Sequence, residues 1–223
     1  MIFSVITIFP DMIRDFLRHG LIAKAMERGV IHVDIYNLRD FTTDKHRKVD
    51  DRPFGGGAGM VMKPEPLFNA VGSIRAKRPG KVILFSADGV CLNQAKVKQL
   101  ATGEHLILIC GRYEGVDQRA VDALVDEEIS LGEYVLMGGE VAAEALIESV
   151  SRMIRGVVGN PESIETDSFY IEDQMGFPQY TQPRIFRGLS VPDVLVSGNH
   201  RDIEAWRRKQ RKKKNKTTGG HHG

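Results

Sequence analysis

Three apolar segments of this chain are each followed at once by a glycine-bearing turn. The segments are KVILF, HLILIC and a short run ending in EIS, and the turns that follow are residues 86–89, 111–115 and 131–139. Apolar runs of this length are typical of buried strands. In an open α/β sheet, ligands bind beyond the carboxyl ends of the strands, where such turns lie. The sequence therefore predicts that these turns surround one ligand pocket.

The N-terminal part of the chain predicts how such strands are connected. Residues 2–9 are rich in β-branched side chains and residues 30–38 alternate apolar with polar, so each predicts a strand. Helical stretches over residues 12–19 and 21–28 lie between them. Strand, helix and strand at this spacing indicate an α/β fold with a parallel sheet. Further helices are predicted over residues 64–76, 93–102, 116–125 and 141–154.

Length and composition exclude several classes of protein. A chain of 223 residues that is 42% hydrophobic can bury a core, but its apolar runs are too short to cross a bilayer. Residues 1–10 are apolar, yet they lack the basic region and cleavage site of a signal peptide. Cys91 and Cys110 cannot form a zinc site unaided or a disulfide framework. We expect a soluble, cytoplasmic protein with no membrane association.

The charge distribution is uneven although the net charge is only +2. Residues 201–216 carry nine Lys or Arg against two acidic residues, and residues 45–52 form a second basic stretch. A basic end on an otherwise balanced chain indicates a polyanionic partner. Taken alone, the basic end fits a solvated tail equally well.

Residues 39–63 predict a long loop with four glycines among residues 55–59. The glycine spacing fits neither the dinucleotide fingerprint nor the P-loop. Long loops in compact domains are usually functional or disordered. The charges and methionines around these glycines favour a functional loop over a plain linker.

The three strand-end turns contain one basic residue, Arg112. This argues against a cofactor rich in phosphate groups. A pocket lined by backbone together with Tyr134, Leu136 and Glu114 better suits a nucleoside that carries an amino-acid tail.

The C-terminal third predicts a change of organisation. Residues 156–183 mix polar, acidic and aromatic side chains with no lasting period, which indicates a linker that orders when a partner binds. Short helices are predicted near residues 192–197 and 199–213, with Asn199 as an N-cap. We therefore predict an α/β domain over residues 1–158, a linker over 159–180 and a helical domain with a basic tail over 181–223.

Five strings along the chain, VDDRPFGGGAGMVMKPEP, CGRYEGVDQR, ISLGEYVLMGGE, TDSF and VLVSGNHRDIEAWR, closely resemble those of bacterial tRNA (guanine-N1)-methyltransferases, the TrmD family. They occur in the family's order and spacing from residue 1 to about 210. The resemblance implies a SPOUT-class homodimer. Each chain would have a parallel-sheet domain with a deep C-terminal trefoil knot and a small helical C-terminal domain.

The resemblance also implies the ligands. S-adenosylmethionine would occupy the knot, and the substrate would be the guanosine immediately 3′ of the anticodon, in the tRNA anticodon stem-loop. A divalent cation, Mg²⁺, is implied too, but the sequence shows no ligand set for it. Carried over by position, the cofactor-binding residues are Leu84, Ser86, Gly111, Glu114, Ser130, Leu131, Gly132, Glu133, Tyr134, Val135, Leu136, Gly138 and Gly139.

Two further residues match the family's catalytic pair. Asp167 matches the general base that removes the proton from guanine N1, and Arg152 matches the cation that stabilises the negative charge developing on O6. Without the resemblance, Asp167 is more simply a linker carboxylate or helix cap. Arg152 is then more simply an exposed helix residue or a partner of Glu148.

The chain departs from its relatives at a few positions. The turn that is usually PQG contains Ala87 and Asp88 before Gly89, and Ala58 and Ala142 stand where relatives often have proline. Two other functions stay open from sequence: methylation of a ribose 2′-hydroxyl on the same fold, and RNA binding without catalysis.

Overall fold

The computed structural model describes residues 1–160, 162–171 and 173–211. The chain divides into two compact units, Met1–Gly159 and Asn160–Gly223. The three-part division at residues 158 and 180 stays a prediction.

The first unit is built on a five-stranded sheet in the order β2-β1-β6-β5-β7. Every pairing between these neighbours is parallel. The predicted α/β fold with a parallel sheet is therefore confirmed. The five strands are β1 (Ile2–Thr7), β2 (His32–Asn37), β5 (Lys81–Cys91), β6 (His105–Ile109) and β7 (Glu127–Ser130).

Helices cover both faces of this sheet. Their bounds are α1 (Pro10–Leu17), α2 (Gly20–Glu27), α3 (Pro64–Lys77), α4 (Gln94–Leu100), α5 (Gln118–Leu124) and α6 (Glu140–Met153). Helices α1, α2, α4 and α6 contribute to one buried cluster, and α3 and α5 contribute to the other.

Side chains of the central strands alternate between these two clusters. In β6, Leu106 and Leu108 join the first cluster, whereas Ile107 and Ile109 join the second. All four are almost completely buried. A strand buried on both faces has no polar side, and this explains the unbroken apolar run in the sequence.

Strand β5 differs from its prediction. The sequence predicts a strand that ends at Ser86, but the strand continues to Cys91. Phe85 and Val90 both pair with Ile129, so the four residues between them bulge out of the ladder. The predicted turn is this bulge.

Residues 39–63 contain more regular structure than a long loop. A 3₁₀ helix covers Leu38–Phe41, and short strands β3 (Asp50–Asp51) and β4 (Val61–Met62) pair antiparallel. The glycines between these strands adopt left-handed backbone angles, with φ of 83° at Gly55 and 121° at Gly57. Residues other than glycine rarely adopt such angles, and this explains why glycines occupy these positions.

The second unit contains α7 (Glu162–Glu165), a hairpin of β8 (Ile185–Phe186) and β9 (Leu189–Ser190), α8 (Asp193–Val196) and α9 (His200–Gln210). Helix α7 lies in the predicted linker. Asn199 caps α9 as predicted, because its side chain accepts hydrogen bonds from the amides of Arg201 and Asp202. The basic tail beyond residue 211 lies outside the described residues. Within the described residues, no helix is both long and apolar enough to cross a membrane.

Candidate functional site

A cavity of about 380 Å³ opens at the bulge of β5 and at the carboxyl ends of β6 and β7. These strands are neighbours at one side of the sheet, so the loops that follow them converge. Val116 lines the cavity from the segment before α5, and Gln118 and Val121 line it from α5 itself. Ala142 lines it from α6. The volume falls in the range of small-molecule sites, about 300–1,000 Å³.

Most of the predicted cofactor residues meet at this cavity. Gly132 and Glu133 belong to the same loop but are not among the lining residues. The predicted residues that do line it are Leu84, Ser86, Gly111, Glu114, Ser130, Leu131, Tyr134, Val135, Leu136, Gly138 and Gly139. This agreement concerns position alone, and binding by these residues stays a prediction.

Two of the cavity loops are joined directly through their backbones. The amide of Gly139 donates to the carbonyl of Gly111 over 2.9 Å, and Arg112 forms an isolated β-bridge with Gly138. A Cβ on Gly139 would lie 2.8 Å from the Cα of Cys110. The glycine is therefore required because two backbones pass too closely for any side chain.

A buried ion pair joins the same two loops through side chains. Glu140 is completely buried at the start of α6, and Arg112 donates to its Oε2 from Nε and Nη2, each over 2.8 Å. The hydroxyl of Thr7, at the end of β1, donates to Oε1 over 2.7 Å. Arg112 also donates to the carbonyl of Met137 over 3.3 Å.

The glycine-rich loop packs against the turn after β6. The amide of Glu114 donates to the carbonyl of Met60, and the amide of Met62 donates to the carbonyl of Gly115, each over 2.9 Å. A Cβ on Gly59 would lie 2.4 Å from a carboxylate oxygen of Glu114. A loop that sequence analysis could not assign is thus part of the cavity's support.

The turn after β7 is closed by its own side chains. The hydroxyl of Ser130 lies 3.0 Å from the carbonyl and 3.2 Å from the amide of Gly132. Tyr134 covers Gly132 so closely that a Cβ there would lie 2.8 Å from its ring. Gly132 therefore shapes this turn rather than the cavity wall.

The charges around the cavity do not favour a phosphate. Arg112 is the single Lys or Arg among the lining residues, and its charge is paired with Glu140. Asp88, Glu114 and Glu128 also line the cavity. An acidic lining with no available cation suits a neutral or positively charged ligand.

Cys110 lies beside the cavity but does not offer a reactive thiol. Its side chain is fully buried, and burial raises its pKa well above the ordinary value, with the nearby Glu140 carboxylate adding to the rise. A thiol of this kind stays protonated and is a poor nucleophile. Its contribution is to packing.

We expect a maleimide reagent to label Cys91 but not Cys110 in the folded protein at neutral pH. Cys91 is exposed and Cys110 is buried. Peptide mass spectrometry after labelling, with and without denaturant, would measure this. Labelling of Cys110 without denaturant at the rate of Cys91 would contradict the assigned burial.

The two predicted catalytic residues lie in different units. Arg152 is in the last turn of α6, and Asp167 follows α7 in the second unit. Two residues after Asp167, the amide of Phe169 donates to the carbonyl of Gln174 over 2.6 Å. Their roles and their meeting at one site stay predictions.

Sequence reasoning missed several lining residues, and it missed the ion-pair network altogether. Glu140 directly follows the glycine pair and Arg112 is the lone base of the turns, so opposite charges were visible. Their pairing across two loops was not. The lining residues that lie outside the three predicted turns and outside the predicted cofactor residues are Phe85, Val116, Gln118, Val121, Glu128, Ile129 and Ala142.

Comparison with known proteins places the chain in a family. It matches the family described as tRNA (Guanine-1)-methyltransferase TrmD over residues 1–219. The chain belongs to the TrmD family. The resemblance inferred from the five sequence strings is thereby confirmed, and the enzyme class of the family is the one predicted.

Individual relatives agree with this assignment. The tRNA (guanine-N(1)-)-methyltransferase of Dictyoglomus turgidum is 50% identical over 214 residues, which cover 95% of this chain and 85% of that protein. The corresponding protein of Moorella thermoacetica is 52% identical over 211 residues, with 93% and 84% covered. The crystal structure of the tRNA (m1G37) methyltransferase from Aquifex aeolicus superposes with a TM-score of 0.78 at 40% identity, covering 92% of this chain and 87% of that one.

Proposed function

We propose that this TrmD-family chain transfers a methyl group from S-adenosylmethionine to N1 of the guanosine immediately 3′ of the anticodon in tRNA. The observation that carries the proposal is the cavity at three strand ends, which most of the predicted cofactor residues line. Family membership supplies the reaction class, and the cavity supplies a place for the methyl donor.

The residues present fit S-adenosylmethionine. The cavity lining is acidic, and its one cation, Arg112, is paired with the buried Glu140. A positively charged sulfonium with no phosphate suits such a lining. When bound, this cofactor supplies an electrophilic methyl group.

Leu84, Leu131 and Leu136 would provide apolar contact to the nucleoside, and the backbone of Gly138 and Gly139 would approach it closely. Ser86, Gly111, Glu114, Ser130, Tyr134 and Val135 would complete the pocket. Gly132 and Glu133 would act by holding the turn in shape. A deep trefoil knot is the topology we propose for these crossing loops, supported by the close passage of Gly139 beside Cys110.

We propose that Asp167 removes the N1 proton of guanine and that Arg152 stabilises the charge on O6. N1 is a poor nucleophile until its proton leaves, so a carboxylate within hydrogen-bond reach lowers the barrier. As that proton leaves, a guanidinium beside O6 stabilises the developing charge. The base must first leave its stacked loop, which is less costly in an anticodon loop than in a duplex.

We propose that residues 181–223 form a small, mostly helical domain that binds tRNA and that the chain works as a homodimer. The last turn of α9 carries Arg207, Arg208 and Lys209, which suits phosphate contacts and predicts salt-dependent affinity. Val135 and Met137 are strongly exposed apolar residues of the first unit, at 87% and 90%. Exposed apolar patches of this kind mark interaction sites, and a second copy would cover them.

The resemblance also implies Mg²⁺. The described residues contain no group of three or more His, Cys, Asp or Glu side chains placed to hold a metal ion. We therefore assign no protein ligands to this ion.

One assay tests the proposal. Unmodified tRNA with GG at the target site is incubated with the protein and methyl-labelled S-adenosylmethionine, and tRNA with the target G replaced by A is the control. We expect label in 1-methylguanosine with the first tRNA and none with the second. Label in 2′-O-methylguanosine would identify the ribose reaction instead, and tRNA binding without any label would identify a non-catalytic binding protein.

A further inference from the structure

Glu140 is a buried charged residue that the proposed reaction does not use. It is 0% exposed, and it is not among the residues that line the cavity. Its carboxylate nevertheless accepts hydrogen bonds from Thr7 at one oxygen and from Arg112 at the other. A buried carboxylate with partners on two other elements is costly to desolvate, so its placement calls for a reason.

The reason lies in what Arg112 holds. Its backbone bridges Gly138, its Nη1 donates to Met137, and its guanidinium lies 4.6 Å from the centre of the Phe9 ring. Arg112 thus contacts both cavity loops and the connection after β1. Glu140 fixes the guanidinium from behind, because Nε and Nη2 both donate to it.

The fit around Arg112 leaves little freedom. A Cβ on Gly138 would lie 2.1 Å from Nε and 2.3 Å from Cδ of Arg112. The side chain therefore passes directly over the Gly138 backbone on its way to Glu140. Any change in its path moves the loop of residues 131–139 relative to the turn of residues 111–115.

We propose that Glu140 is a positioning residue for the methyl donor: through Arg112 it sets the spacing of the two glycine loops that form the cofactor pocket. The inference depends on the proposed function, since it concerns the same pocket. Glu140 acts at a distance because its complete burial prevents contact with any ligand. Thr7 holds the other carboxylate oxygen and so fixes the carboxylate relative to β1.

The test is the affinity for S-adenosylmethionine, measured by calorimetry without tRNA on the full chain. We expect Glu140→Gln to raise the dissociation constant about 10- to 100-fold, the loss typical of misplaced binding groups. The dissociation constant for tRNA should stay within about twofold of the wild-type value, because the basic surfaces are untouched. A residue with a merely structural role would lower thermal stability and leave the cofactor affinity unchanged.

Glu127→Gln is the matched control. Glu127, like Glu140, forms an ion pair within the first unit. It is partly buried and has two cationic partners, Lys81 at 2.6 Å and Lys96. Burial acts to raise its pKa, but the hydrogen bonds and charges of the two lysines lower it overall, so it is ionised at neutral pH. It lies at the start of β7 and is not among the residues that line the cavity. We expect this variant to lose thermal stability and to keep its cofactor affinity.

Thr7→Val provides a second, milder variant, since it removes the hydrogen bond to Glu140 and the one from the Phe9 amide but keeps the ion pair. We expect it to raise the dissociation constant for S-adenosylmethionine about 2- to 10-fold. If Glu140→Gln does not fold, Thr7→Val decides the question. Unchanged cofactor affinity in the folded variants would overturn the inference. Failure of the wild-type protein to bind S-adenosylmethionine would instead overturn the proposed function, and the inference with it.

Discussion

Asp167→Asn is expected to lower kcat for tRNA methylation about 10²- to 10⁴-fold, the usual contribution of a general base. The amide keeps the size of the side chain but cannot accept the N1 proton. Steady-state assays with saturating tRNA and labelled S-adenosylmethionine would measure the effect. The dissociation constant for S-adenosylmethionine should not change, because Asp167 is not among the cavity residues.

Asp193→Asn is the control for loss of a negative charge in the same unit. The side chain of Asp193 is 93% exposed and pairs with Arg184 at the surface. We expect its kcat to stay near the wild-type value. A kcat for Asp167→Asn within about twofold of wild type would remove Asp167 from the role of general base.

Gly139→Ala is expected to reduce the free energy of unfolding by about 2–3 kcal/mol, as overpacking at a close contact does. The added Cβ would meet the Cα of Cys110 at 2.8 Å and the amide nitrogen of Gly111 at 3.1 Å. Both are backbone atoms of a buried strand end and cannot rotate away. Denaturant unfolding would measure the loss, and calorimetry should show weaker binding of S-adenosylmethionine.

Gly72→Ala is the matched control, since it adds the same methyl group to a helix. Gly72 lies within α3, and its Cβ would have no atom within 4 Å. Alanine in a helix interior is more favourable than glycine by about 0.5–1 kcal/mol. We therefore expect this variant to be at least as stable as the wild type. Equal stability of Gly139→Ala and Gly72→Ala would contradict the close passage of the two loops.

Hydrophobic pattern was sufficient to predict the sheet of the first unit. The run ending at Cys110 and the run before Ser86 are buried on both faces, and such runs leave few alternatives to parallel strands. The starts of α3 and α4 were predicted to within a residue, because Pro64 and Asn93 mark helix starts in the sequence.

The parts that could not be predicted depend on contacts between distant residues. No periodicity shows that Thr7 and Glu140 share a hydrogen bond across 133 positions, or that Gly59 lies against Glu114. The bulge in β5 was also hidden, since its residues give an ordinary turn signal. For the pocket, local pattern indicated three turns, and the family resemblance was needed to assign the individual residues.

The bulge in β5 has a consequence for how this pocket can vary. Because Phe85 and Val90 both pair with Ile129, the ladder resumes in register whatever residues lie between them. Only Gly89 is constrained, since a Cβ there would lie 2.5 Å from the backbone nitrogen of Ile129. Ala87 and Asp88, which line the cavity, can thus change without disturbing the sheet. The bulge is a stretch of cavity wall whose sequence can vary while the fold stays the same.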